Sequence, residues 1–164
     1  MSVDEVLDRV STYGTRLVEI TGGEPLEQAT VGILTSRLLD EGFTVMLETG
    51  GHVSIRDVSP EVIRIVDVKC PDSGEGGTFL PENLSLATAN DEFKFVISSR
   101  RDYEWSRDFL AHHMAGLPNT VLFSPAHGLI SPAELADWIL EDHLPVRLQI
   151  QLHKYIWSGS MRGI

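Results

Sequence analysis

Apolar residues return along this chain in two rhythms. From Val3 they recur at helical spacing through Val6, Leu7 and Val10, behind a Ser2-x-x-Glu5 capping box that marks a helix start. Arg16–Ile20 (RLVEI) then reads as a short buried strand, and Thr21-Gly22-Gly23-Glu24-Pro25 as the turn that leaves it. From Leu26 to Glu41 the period is helical again, with Ile33, Leu34, Leu38 and Leu39 on the apolar side and Gly42 as the stop. Four further strands are expected: Thr44–Glu48, Val62–Lys69, Glu92–Ser98 with Phe93, Phe95 and Ile97 alternating, and Val121–Phe123. Val146–Gln151 is the last strand, and a Gly- and Pro-rich loop fills Cys70–Pro81. Helices are expected over Asp102–Ala115 and over Pro132–Glu141, the second with Ser131 as its cap and proline in its first turn. Phe93, Phe95, Trp138 and Leu140 read as core.

Strands separated by helices imply parallel β/α units. No Pro-, Ser- or Gly-rich linker divides them, so residues 1–164 read as a single domain. Periodicity alone is compatible with an open doubly wound sheet and with a barrel of β/α units.

Composition narrows the class. A hydrophobic fraction of 42% in 164 residues suits one globular domain. No apolar run approaches the ~20 residues that span a bilayer, and the acidic, amphipathic N-terminus is not a secretory signal. A cytoplasmic protein without membrane attachment is therefore expected. The formal net charge of −11 supplies no basic footprint for a nucleic-acid backbone. Cys70 is the sole cysteine, so no internal disulfide forms. One thiol also cannot hold a cubane iron–sulfur cluster, which takes three or four.

Parallel β/α folds bind ligands at the C-terminal ends of their strands. The residues expected there are Thr21–Pro25, then Glu48–Gly51, then Asp67 with Lys69, Cys70, Pro71, Asp72 and Ser73. Lys94 lies on the fourth strand, with Ser98–Arg101 at its end. Ser124, Pro125, Ala126 and His127 follow the fifth strand, and Gln149, Gln151 and His153 the sixth. Gly22 and Gly23 let a backbone approach a ligand closely. Glu24 offers a carboxylate to an ammonium group, or simply favours the dipole of the helix that follows. His112 and His113 are adjacent and point to different sides of a helix, and His127 and His153 are isolated, so metal ligation is not expected of them.

These segments, taken in order, resemble one family. VEITGGEPLEQ (Val18–Gln28) is similar to the Gly-Gly-Glu segment of radical S-adenosylmethionine enzymes. LETGG, DVKCPDSGE, DEFKFVIS, DYEW, FSPAHG, LPVRLQIQLHKYIW and the closing RGI resemble the 7-carboxy-7-deazaguanine synthases within that superfamily. The resemblance covers essentially the whole chain. It implies a partial, modified TIM-like barrel and a homodimer. It implies a carbon–nitrogen lyase reaction in queuosine biosynthesis, from 6-carboxy-5,6,7,8-tetrahydropterin to 7-carboxy-7-deazaguanine, using S-adenosylmethionine, a [4Fe–4S] cluster and magnesium. By matching positions it assigns Gly22, Gly23, Glu24, Glu48, Lys69, Cys70, Pro71, Ser73, Ser124, Pro125, Ala126 and His127 to S-adenosylmethionine. Thr21 and the terminal carboxylate of Ile164 are assigned to the pterin, and no catalytic residue falls within the chain. Glu48 could equally be tied up in an ion pair with Lys69.

The family's Cys-x-x-x-Cys-x-x-Cys motif and the magnesium-binding hydroxyl that follows it have no counterpart here. The resemblance thus implies a barrel without its first βα unit, inactive by itself, with RLVEI as an open edge. The alternatives are a non-catalytic module that binds S-adenosylmethionine or another nucleoside, and an activating subunit of another radical enzyme.

Overall fold

The computed structural model describes residues 1–156. Helix α1 (Val3–Ser11) begins where the capping box places it. The Ser2 hydroxyl accepts from the Glu5 N–H, and the Glu5 carboxylate accepts from the Ser2 N–H at 2.6 Å. Strand β1 (Leu17–Ile20) leads into a 3-10 turn at Pro25–Glu27, and helix α2 starts only at Val31 and ends at Asp40. The single helix expected from Leu26 is therefore interrupted. Leu26 serves the turn that Glu24 caps, and it packs against the core from there.

Strands β2 (Thr44–Thr49), β3 (Ile63–Asp67), β4 (Glu92–Ile97) and β5 (Thr120–Pro125) follow, with β6 (Arg147–Leu148) last. The final strand is two residues where six were expected. A short helix α3 (Glu82–Leu86) lies between β3 and β4. Helix α4 (Arg100–His113) begins two residues earlier than expected because Ser99 caps it, accepting from the Asp102 N–H at 3.1 Å. Helix α5 (Pro132–Glu141) is capped by Ser131, and α6 (His153–Ile156) closes the described chain.

All six strands are parallel and stand in the order β1-β2-β3-β4-β5-β6. A doubly wound sheet reverses its order at a switch point, whereas the wall of a β/α barrel does not. The expected partial barrel is thus the observed architecture. Among the described residues, β1 and β6 do not pair with each other, and each is an edge.

With right-handed crossovers, sequential order places every connecting helix on one face of the sheet. Val45 and Leu47 meet α1 and α2 through Leu7, Leu34 and Leu38. Phe93, Phe95, Ile97 and Phe123 meet α4 and α5 through Tyr103, Leu135 and Ile139. Trp138 packs at the margin of this cluster, but Leu140 is 68% exposed and does not belong to it. It projects from the far side of α5, so its place in the apolar rhythm misleads. Arg64, on the helix side of β3, is buried and forked onto Asp91, its Nε 3.0 Å from Oδ1. Asp91 also accepts from the Arg64 and Thr88 N–H groups, which satisfies the buried charge at the N-terminal end of the sheet.

The other face carries the side chains that alternate with this core. The register sets Glu19 beside Met46, Glu48 beside Ile65, and Asp67 beside Lys94, which in turn faces Leu122. Glu92 faces Ile65 and Thr120, and Arg147 faces Leu122. A face with these six charged residues, and no helix packed on it among the described residues, is costly unless the charges are paired or serve a ligand.

Candidate functional site

The turn after β1 is held by Glu24. Its side chain is 6% exposed and accepts from the Leu26 N–H at 3.0 Å, the Gly50 N–H at 2.8 Å and the Thr49 hydroxyl at 2.9 Å. His52 closes the cluster, with Nδ1 3.8 Å from Glu24 and Nε2 3.6 Å from Glu27. The carboxylate thus clamps its own turn to the end of β2. Gly22 (φ 93°) and Gly23 (φ 55°) are left-handed, and a Cβ at either would meet nothing within 4 Å. Their peptide groups are the open part of the turn. A recess of about 180 Å³ between Ile20, Thr21, Gly22, Pro25 and Val31 adjoins it.

In the loop after β2, Gly51 is required by space. A Cβ there would lie 2.3 Å from the Asp67 carbonyl oxygen. Buried Asn83 on α3 donates to the Gly51 and Val53 carbonyls at 3.1 and 3.0 Å and accepts from the Ile55 N–H, which fixes the loop after β2.

On the sheet face opposite the helices the charges pair, two of the pairs across strands and one between the end of β3 and the loop that follows it. Lys94 contacts Glu48, Lys69 donates to Asp67 at 2.9 Å, and Arg147 donates to Glu92 at 2.9 Å. Glu48 therefore pairs with Lys94 and not with Lys69, which bends back to Asp67. Burial pulls the Lys94 ammonium below the ordinary lysine range, and the charge of Glu19 opposes that shift. Burial likewise raises the Asp67 carboxyl above the usual range, against the pull of Lys69. Asp67 Oδ1 is buried and has no hydrogen-bond partner among the described residues. Leaving such an acceptor empty costs about 1–3 kcal/mol.

The loop after β3 is clasped to α4. Buried Asp102 accepts from the Asp72 N–H at 2.9 Å and the Ser98 N–H at 3.1 Å, and from the Ser98 hydroxyl. Arg101 and Ser99 hold the Asp72 carboxylate in return. Pro71 and Ser73 form a 3-10 turn at the surface, with the Ser73 hydroxyl on the Cys70 carbonyl at 2.6 Å. Cys70 itself turns into the core, its sulfur 3.4 Å from the Ser106 hydroxyl. Burial pushes its thiol up to about 12. Ser124 and Pro125, expected after the fifth strand, are the buried last residues of β5; beyond them Ala126 donates to the Ile97 carbonyl at 2.7 Å, and exposed His127 stands edge-on to Tyr155. Ile164 lies outside the described residues. A larger apolar groove of about 380 Å³, between Leu110, Met114, Leu117, Val121 and Leu144, opens at the start of β5, away from the strand ends.

The strand ends thus gather an open glycine turn, a charged sheet face and two flanking loops. Two residues essential to this arrangement stand outside the sequence-based reading of the strand ends, and the pairing of a third, Lys94, is not foreseen there. Asn83 and Asp102 sit inside apparent loop and helix sequence. Lys94 shows itself only as a lysine within an otherwise apolar strand.

Among the described residues, no three His, Cys, Asp or Glu side chains gather as a metal site requires. With one thiol in the sequence, buried and held protonated, these residues do not fit a cubane cluster.

Fold and site together define a protein of the β/α-barrel class, with its polar groups at the strand ends. No family model matches the chain. It is 46% identical to the 7-carboxy-7-deazaguanine synthase of Koribacter versatilis, over all of this chain and 79% of the relative. It is 41% identical to that of Chlorobaculum tepidum, over all of this chain and 76% of the relative. The chain belongs to the 7-carboxy-7-deazaguanine synthase family. Its fold matches the crystal structure of QueE from Escherichia coli with a TM-score of 0.71 at 26% identity, covering 92% of this chain and 64% of that one. Streptococcus suis SuiB, at 11% identity and a TM-score of 0.59 over 98% of this chain and 46% of that one, shares the fold alone.

Proposed function

We propose that this chain forms the nucleoside- and pterin-binding part of a 7-carboxy-7-deazaguanine synthase, which converts 6-carboxy-5,6,7,8-tetrahydropterin to 7-carboxy-7-deazaguanine with S-adenosylmethionine. The observation that carries this reading is the open Gly22–Gly23 turn set beside the paired charges of the helix-free face. The Gly22 and Gly23 peptide groups take the amino end of the cofactor, and Glu24 keeps them in place. Lys69–Ser73 and Ser124–His127 flank the adenosyl group, with Cys70 contributing backbone only. Glu48, the most open carboxylate of the three ion pairs, faces the substrate, with Thr21 at the rim. The family's radical arises at an iron–sulfur cluster, and no such step is assigned to these residues. The working unit is a cytoplasmic homodimer, magnesium assists the whole enzyme's reaction, and this chain alone turns over no pterin.

The single buried thiol favours one further reading, a nucleoside-binding module without catalysis. Calorimetry with S-adenosylhomocysteine tests what the two share. Heats should appear with the parent chain and vanish with Gly23→Val, and equal heats from both would remove the assigned turn. An anaerobic assay of the chain with a cluster-bearing segment supplied in trans separates them, since only the synthase reading expects product.

A further inference from the structure

We propose that Lys94 and Asp67 form a lactam-recognition pair, which reads an adjacent N–H and C=O on one edge of a planar heterocycle; this rests on the synthase reading above. The two residues are register partners on β3 and β4, on the same face of the sheet. Asp67 brings a buried acceptor oxygen that no donor fills among the described residues. Lys94 brings an ammonium with three donor positions and one described partner, Glu48. Neighbouring strands lie about 4.8 Å apart, a separation at which a vacant acceptor and a spare donor can engage one planar edge together. A lactam has the complementary pattern, its N–H donating to Asp67 Oδ1 and its carbonyl accepting from Lys94.

The rest of the face excludes simpler occupants. Lys69, Lys94 and Arg147 are each matched to a carboxylate, so among the described residues of this face no cation is left over for an anion alone. Lys69, 29% exposed, donates to the other oxygen of Asp67, which leaves Oδ1 as the vacant acceptor.

Two pteridines that differ only at this edge test the pair. Pterin-6-carboxylate carries the lactam, and 2,4-diaminopteridine-6-carboxylate replaces its carbonyl with an amino group. Fluorescence titration of the purified chain should show about tenfold tighter binding of the lactam, the worth of one or two hydrogen bonds. Lys94→Met should bring the two affinities within about twofold of each other, while Lys94→Arg, which keeps the donors, should retain the preference. Asp67→Leu should abolish the preference as Lys94→Met does. Equal affinities in the parent chain, or an unchanged preference in Lys94→Met, overturn the pair. S-adenosylhomocysteine is titrated in parallel. If it binds while neither pteridine does, the pair fails and the cofactor half of the synthase reading stands. If none of the three binds, both readings fall.

Discussion

Replacing Glu24 with alanine separates a residue that holds a turn from one that holds a ligand. The geometry gives Glu24 the first role. Three donors of the chain end on its carboxylate, from Leu26, Thr49 and Gly50, and its side chain is 6% exposed. A hydrogen bond to a charged group contributes about 1.5–3 kcal/mol, and water recovers part of that at a half-open turn, so Glu24→Ala should destabilise the chain by about 3 kcal/mol. At this chain length that is a fall in melting temperature of roughly 6–12 °C. Glu24→Gln keeps one acceptor oxygen and should cost about half as much. Thermal and urea unfolding followed by circular dichroism read the loss directly. S-adenosylhomocysteine binding should weaken in both variants, because Gly22 and Gly23 lose their anchor. A Glu24→Ala melt within about 2 °C of the parent, with binding abolished, would refute the reasoning and make the carboxylate a ligand contact.

Gly51→Ala should destabilise by more than about 3 kcal/mol, since a Cβ at φ 78° would collide with the Asp67 carbonyl; a melt matching the parent would contradict this. Cys70, its thiol pushed up to about 12, should resist iodoacetamide at pH 8 in the folded chain and react stoichiometrically in urea, as mass spectrometry reports. The raised Asp67 carboxyl sets a pH trend. Its folded form binds the proton more tightly, so its contribution is greatest below the ordinary aspartate range and is lost as pH rises through the folded-state value. Asp67→Asn lacks that loss, and urea melts should show the variant gaining on the parent between pH 4 and pH 7.

The strands were legible because each carries its own signal. Alternation at Phe93, Phe95 and Ile97, or the apolar run of β3, needs no distant partner to be recognised. Helix starts at Ser2 and Ser131 were equally local, since a cap bonds three residues ahead. Strand order was not legible, because helical and strand periods repeat alike in open sheets and in barrels. The end of the apparent helix at Leu26 was lost for a similar reason: the apolar spacing continues through a turn that only the contact of Glu24 with β2 explains. In the site, the glycine turn announced itself by composition. The choice of Lys94 over Lys69 as the partner of Glu48 depends on register between strands 46 residues apart in sequence, which no local window contains.

The unbroken strand order has a consequence for how the molecule is built and dismantled. Every strand bonds only to units adjacent in sequence, so the sheet behaves as a nearly one-dimensional stack in which stability passes from neighbour to neighbour. Such a stack can assemble in the order of synthesis, because each new strand finds its partner already formed. It also comes apart from its ends. Among the described residues, β6, two residues long, and β1, bonded on one side, are the places where opening costs least, while β3 and β4 are shielded by neighbours on both sides. The Asp67–Lys94 pair bridges those two inner strands, so the site is anchored at the part of the stack that opens last.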